Sequence, residues 1–160
     1  MSTVLRSPDV DDIAAMLALN NDFAVETSVL NMALLRQLIA SSFYVRLSGQ
    51  TDAFCIALDQ NAQYENVNFD WFRRRYRRFI YIDRVVVATH ARGKGIARKM
   101  YSELKLASQN AGHSMLCCEI NADPPNLASD RFHAAFGFVE VGSAWLAECA
   151  KTVRYLAMPI

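Results

Sequence analysis

The stretch that most constrains this chain is residues 79–120, where a strand-forming segment, a glycine-punctuated loop, an amphipathic helix and a second strand-forming segment follow one another. Residues 79–87 end in Val85, Val86 and Val87 and are rich in the β-branched and aromatic side chains that suit a pleated, half-buried surface. After Arg92, Gly93, Lys94 and Gly95, the apolar Ile96, Met100, Leu104 and Ala107 recur at helical spacing, and residues 115–120 read as strand again. Strand, loop, helix, strand is a βαβ unit, so its two strands are expected to lie parallel with the helix as crossover. An α/β chain with a mixed sheet follows.

The flanking segments supply the rest of that sheet. Residues 3–6 predict a short strand, and Ile13, Met16, Leu17 and Leu19 mark a helix after the Ser7, Pro8, Asp9 punctuation. Met32, Leu35, Leu38 and Ile39 mark a second helix, and residues 43–47 and 53–58 a hairpin. In residues 60–78 a short helix is expected within a long connection. Asp123, Pro124 and Pro125 break the second parallel strand. Ala128, Phe132, Ala135 and Phe136 then stripe a shorter helix that Gly137 stops, and residues 138–141 and 153–158 predict closing strands. No repeat, low-complexity tract or linker interrupts the chain, and one domain over residues 1–160 is expected.

Composition narrows the function classes. With 160 residues, 52% of them hydrophobic and 21% charged, the chain can bury a core without disulfide or metal staples. No run approaches the roughly 18 apolar residues of a membrane span, and the first residues carry no leader pattern, so a cytoplasmic protein without a membrane partner is expected. Cys55, Cys117, Cys118 and Cys149 have no zinc-ligand spacing and read as reduced thiols; no metal is expected. A net charge of +1 provides no global field for nucleic acid.

The loop before the helix is the first candidate site. A helix start presents unpaired N–H groups and a positive dipole end, Gly93 and Gly95 keep side chains out of the way, and Arg92, Lys94 and Arg98 add positive charge. Such a place beyond a strand's carboxyl end suits a phosphate group. The same glycines could instead form only a tight turn. The stretch lacks the Gly-Lys-Ser/Thr ending of a P-loop, and Arg98 occupies the last glycine position of a dinucleotide turn, so ATP and NAD lose support together.

Two motifs carry a resemblance. Arg92, Gly95 and Ala97 match R/Q-x-x-G-x-G/A, and Asn126, Ser129, Phe132, His133, Gly137 and Phe138 match N-x-x-A/S-x-x-F/L-Y/H-x-x-x-G-F at every spacing. Together they resemble the acyl-CoA signatures of the GNAT acetyltransferase superfamily, with motif-level likeness confined to about residues 80–140. The resemblance implies a GNAT fold whose parallel strands splay apart and a donor, acetyl-CoA or another acyl-CoA. The donor's pantetheine would lie along Val85, Val86 and Val87, and its pyrophosphate on Arg92, Gly93, Lys94, Gly95, Ile96, Ala97 and Arg98. Asn126, Ser129, Phe132 and His133 would border it.

Acetyl transfer to an amine requires a neutral amine, a polarised carbonyl and a proton for the leaving thiolate. An alkyl ammonium of pKa about 10.4 needs a base. Asp83 holds the strand position where some family members carry a catalytic glutamate, although its short side chain and reference pKa of about 3.9 weigh against that role and suit an ion pair with a nearby arginine. Glu119 is its rival, because alternation puts Cys117, Glu119 and Asn121 on one face and Leu116, Cys118 and Ile120 on the other. His133 replaces the family's usual tyrosine, the thiolate's proton donor, and could serve as acid or base. Cys117 and Cys118 are read as packing residues, and the oxyanion is assigned to backbone N–H groups near Val87.

Tyr64, Asn66, Asn68 and Trp71, with Asn121, are candidate acceptor contacts. Arg73, Arg74, Arg75, Arg77 and Arg78 interleave with aromatics there, a pattern also seen on nucleic-acid surfaces, but Phe69, Phe72, Tyr76 and Phe79 at helical spacing favour inward packing behind a solvated basic face. The expected activity is therefore direct acyl transfer to a primary amine of a small molecule or amino acid. A CoA-binding GNAT protein without catalysis, or a protein- or RNA-binding module, is the alternative, and homodimer formation is left open.

Overall fold

In a computed structural model that describes residues 3–160, the chain order is β1 (Leu5–Arg6), α1 (Ile13–Asp22), α2 (Ala24–Thr27), α3 (Met32–Ser41), β2 (Tyr44–Ser48), β3 (Ala53–Asp59), α4 (Val67–Arg73), β4 (Ile80–Val87), α5 (Ile96–Asn110), β5 (Met115–Asp123), α6 (Leu127–Phe136), β6 (Val139–Leu146) and β7 (Lys151–Pro159). The seven strands form one mixed sheet in the order β1-β2-β3-β4-β5-β7-β6, in which only β4 and β5 run parallel among neighbours. The α/β reading of the sequence holds.

Both faces of the sheet are buried. On one, Met16 of α1, Leu35 and Leu38 of α3 and Phe69 and Phe72 of α4 pack on Leu47, Phe54, Ile56, Leu58, Tyr81 and Tyr155. On the other, Ile96, Met100, Tyr101 and Leu104 of α5 pack on Ala57, Ile80, Ile82, Leu116, Cys118 and Ile120. The alternation expected for β5 is therefore observed, Cys117 joining the first core and Leu116, Cys118 and Ile120 the second. Capping fixes the helix starts: Asn31 Oδ1 accepts from Leu34 N at 2.8 Å, and Asn66 Oδ1 from Asn68 N and Phe69 N at 2.9 and 3.0 Å.

A β-bulge in β4 positions the site. Ile56 pairs with Arg84 and Ala57 with Ile82, so Asp83 has no cross-strand partner. An extra residue reverses the alternation of a strand and bends it. Ile80 and Ile82 before the bulge and Val85 and Val87 after it all reach the α5 side, while Tyr81 and Val86 reach the other. Parallel pairing with β5 consists of Ile80↔Leu116 and Tyr81↔Cys117, whereas β5 stays paired with β7 out to Asp123. Beyond Tyr81, the two parallel strands part, and a cleft opens between them toward the glycine loop.

Candidate active site

Two cavities occupy this cleft. One, of about 540 Å³, is lined by Val85, Val86, Val87, Arg92, Gly93, Gly95, Ile96, Ala97, Arg98 and Phe132 among others. The other, of about 570 Å³, is lined by Asn66, Asn68, Asp83, Arg84, Glu119, Asn121 and Trp145 among others. Glu26, Thr27, Val85, Asn126, Ser129 and His133 line both, so the cavities adjoin along α2, β4 and the start of α6.

The first cavity ends on the N-terminus of α5. Gly93 and Gly95 both have φ +75°, a left-handed conformation that side-chain-bearing residues adopt at a cost of about 1 kcal/mol. A Cβ built on either meets nothing within 4 Å, so the space in front of the loop is open and the conformation, not crowding, calls for glycine. Gly95 is the N-cap residue and no side chain caps the helix, which leaves its first N–H groups available to an anion. Arg92 lies close by, its guanidinium 4.8 Å from the Phe23 ring centroid and its Nε donating to Val87 O at 3.2 Å. Lys94 is exposed and stands outside the lining.

The second cavity holds two carboxylates in different surroundings. Asp83 accepts from Tyr64 Oη at 2.7 Å and from Arg84 Nε at 2.7 Å, and Arg84 Nη1 donates to Asn20 Oδ1 at 2.8 Å. The side chains of Asp83 and Arg84 are each 3% exposed. Asp83 is thus one half of a buried ion pair, the alternative its short side chain left open. Among the described residues, Glu119 has no cationic partner. It accepts from Tyr81 Oη at 2.6 Å and from Asn68 Nδ2 at 3.2 Å, and Asn68 Oδ1 accepts in turn from Tyr155 Oη at 2.8 Å. Glu119 sits deep in the molecule with part of its surface open to the cavity, and burial pushes its carboxyl up to about 7, above the usual carboxylate range, against the hydrogen bond from Tyr81.

His133 is buried, with Nδ1 at 2.7 Å from Ser129 O and Nε2 at 2.9 Å from Tyr101 Oη. A carbonyl only accepts, so Nδ1 carries the ring proton and Nε2 accepts from the Tyr101 hydroxyl. Burial lowers the histidine's pKa and favours this neutral form. In this state His133 has no free proton to offer sulfur directly.

The acetyltransferase (GNAT) family model matches residues 33–138, a span that contains the bulged strand, the glycine loop, both carboxylates and His133. The chain belongs to the GNAT acetyltransferase family. No curated protein matches this acetyltransferase in sequence. Among solved structures, the ribosomal-protein-alanine N-acetyltransferase of Brucella melitensis is 22% identical with a TM-score of 0.74, covering 98% of this chain and 99% of its own. The Arabidopsis thaliana NAA60, in complex with a bisubstrate analogue, is 12% identical with a TM-score of 0.77 over 99% of this chain and 98% of its own. The yncA protein of Salmonella typhimurium, with its cofactor acetyl-CoA, is 17% identical with a TM-score of 0.71 over 99% and 94%. At these identities the likeness is one of fold.

Within this GNAT enzyme, the expected donor-side residues, Lys94 excepted, line one cavity together. The acceptor-side expectations divide. Asn66, Asn68 and Asn121 line the second cavity, but the Asn66 oxygen is committed to capping α4. Tyr64 is turned to Asp83, and Trp71 stacks on Tyr155 at 4.2 Å; neither is among the lining residues. Trp71 is a packing residue because Gly142 gives it room: a Cβ there would lie 2.4 Å from its ring. Residues that sequence reasoning did not single out also reach the cavity, including Tyr101, Trp145, Glu148 and Lys151. Trp145 alone left a signal, as a large apolar residue just beyond a strand-like pattern, and it is 60% exposed.

Proposed function

We propose that the enzyme transfers an acetyl group from acetyl-CoA directly to the primary amine of a small molecule or amino acid. The observation that carries this reading is the pair of adjoining cavities at the splayed strands, with an uncapped helix N-terminus at the end of one and an unpaired carboxylate in the other. For the donor, the residues fit: open space before two left-handed glycines, first-turn N–H groups for pyrophosphate, and an apolar channel past Val85, Val87 and Phe132 for the pantetheine arm. The donor supplies the thioester carbon that an amine attacks. Backbone N–H groups near Val87 serve the developing oxyanion.

Glu119 is the base. A carboxyl held near neutrality can take a proton from an ammonium at physiological pH, whereas Asp83 is occupied by Arg84 and Tyr64. Glu26, Glu119 and Glu148 line the acceptor cavity beside Lys151, and Asp83 and Arg84 offset one another, which favours a cationic acceptor over an anionic one. A volume of about 570 Å³ suits a compact amine.

The test is thiol release from acetyl-CoA against a panel of amino acids, polyamines, small aromatic amines and peptides with free N-termini. Turnover with a small amine, matched by its N-acetylated product, is expected. Tight CoA binding with no thiol release for any amine would make the protein a non-catalytic CoA binder, and a preference for peptides would move the acceptor to protein termini.

A further inference from the structure

His133 of α6 is hydrogen-bonded at 2.9 Å to a phenol from a different helix. Tyr101 comes from the second turn of α5, the helix that starts at the glycine loop, and its ring is held edge-on by Phe132, Phe136 and Phe138 at 5.0, 5.5 and 6.1 Å. It lines the acceptor-side cavity, and its hydrogen-bond partner His133 lines both. Neither group suffices as a proton donor. The imidazole has committed Nδ1–H to Ser129 O and offers only a lone pair at Nε2, and a lone Tyr101 would be left as a buried phenolate.

We propose that Tyr101 and His133 work as one proton shuttle between the attacking nitrogen and the departing sulfur. This rests on the reading of the enzyme as an amine acetyltransferase. Glu119 takes the first proton of the ammonium and releases it to solvent through the cavity it lines. The neutral amine then forms the C–N bond, the carbonyl π pair moves to oxygen, and nitrogen holds one proton too many. That proton passes to Tyr101 Oη while the phenol proton passes to His133 Nε2, giving an imidazolium whose Nδ1–H stays on Ser129 O. As the carbonyl re-forms, the C–S bond breaks with its electron pair on sulfur. Nε2 returns its proton to Tyr101, and the phenol proton goes to sulfur. Phenol and imidazole end as they began, and one proton has moved from nitrogen to thiol. The apolar clamp around Tyr101 keeps the oxygen in place through both transfers, which is what a shuttle needs and a freely rotating phenol lacks.

The experiment compares Tyr101→Phe, His133→Phe and the double variant at saturating acetyl-CoA and amine, with calorimetry of acetyl-CoA on each folded protein. Tyr101→Phe keeps the ring and its packing. A shuttle predicts a kcat loss of about 100-fold in each single variant, no further loss in the double, and, in Tyr101→Phe, unchanged acetyl-CoA affinity and KM. It also predicts that the curved rate dependence on D₂O fraction in the native enzyme, two protons moving together, becomes linear in Tyr101→Phe. Native kcat in folded Tyr101→Phe, or losses that multiply in the double variant, overturns the shuttle while leaving native turnover and the Glu119→Gln loss intact. Absence of thiol release by the native enzyme overturns the shuttle and the acetyltransferase reading together.

Discussion

Tyr81 Oη donates to Glu119 Oε2 at 2.6 Å, so the carboxyl facing the second cavity is held by a buried phenol from the neighbouring parallel strand. The bond spans the last rung of the β4–β5 ladder, where Tyr81 pairs with Cys117, and the strands diverge from there. It fixes the Glu119 side chain at the point where the cleft begins to open.

Glu119→Gln keeps the size of the side chain and removes its basicity. Turnover should fall by about 10²–10⁴-fold with acetyl-CoA affinity unchanged, by steady-state kinetics and calorimetry. In the native enzyme, activity should rise as the pH passes through about 7, where the carboxyl becomes a free base. A Glu119→Gln variant whose residual rate keeps the same acid limb would assign that limb to another group.

The same shift has a consequence for stability. Folding raises the Glu119 pKa from 4.5 to about 7, so between those values the folded chain binds the proton more strongly than the unfolded one. The contribution is therefore full below the unfolded value and is lost as pH rises through the folded value. Glu119→Gln should gain thermal stability relative to the native protein at pH 8 compared with pH 5, measured as the difference in Tm at each pH.

Asp83 is expected to matter for stability more than for chemistry. Removing it leaves Arg84, whose side chain is 3% exposed, without its counter-ion. Asp83→Ala should cost about 3–5 kcal/mol in denaturant unfolding. Asp83→Asn, which still accepts from Tyr64, should keep more activity than Glu119→Gln.

At Gly95, with φ +75°, Asn and Asp are tolerated about equally by the backbone but differ in charge. Gly95→Asp should bind acetyl-CoA at least about tenfold more weakly than Gly95→Asn, because a carboxylate at the helix N-terminus competes with pyrophosphate for the same N–H groups. Equal affinities by calorimetry would remove the anion from this loop.

Gly142 is required by its neighbour. An added methyl would lie 2.4 Å from the Trp71 ring and disturb its stack on Tyr155, whose hydroxyl holds Asn68. Gly142→Ala should destabilise by about 1–3 kcal/mol in thermal unfolding.

Much of this arrangement is legible in the amino-acid order alone. The strand at 79–87, the loop and the helix after it are local signals, and the period-two pattern of β5 puts Glu119 on the cleft face with Cys117 opposite Cys118. What stays hidden depends on contacts distant along the chain. The bulge at Asp83 exists only in the register with β3, and it turns Asp83 and Arg84 into a buried pair. Tyr101 adjoins the stripe of Ile96, Met100 and Leu104 and reads as one more apolar helix residue until α6 brings His133 within 2.9 Å. Ser108, not Ala107, fills the buried place at the end of that stripe, because its hydroxyl is satisfied by Leu104 O at 2.7 Å. Aromatic residues at helical spacing in 69–79 do pack inward, but α4 ends at Arg73, so Phe79 reaches the core from the connection just before β4.

The most direct test of the account is a crystal structure of the enzyme with CoA. The pyrophosphate should lie on the N–H groups of residues 93–97 and the thiol should enter the junction bordered by Val85, Asn126 and His133, facing Glu119. A pyrophosphate bound away from the glycine loop, or a thiol directed out of the cleft between β4 and β5, would contradict it.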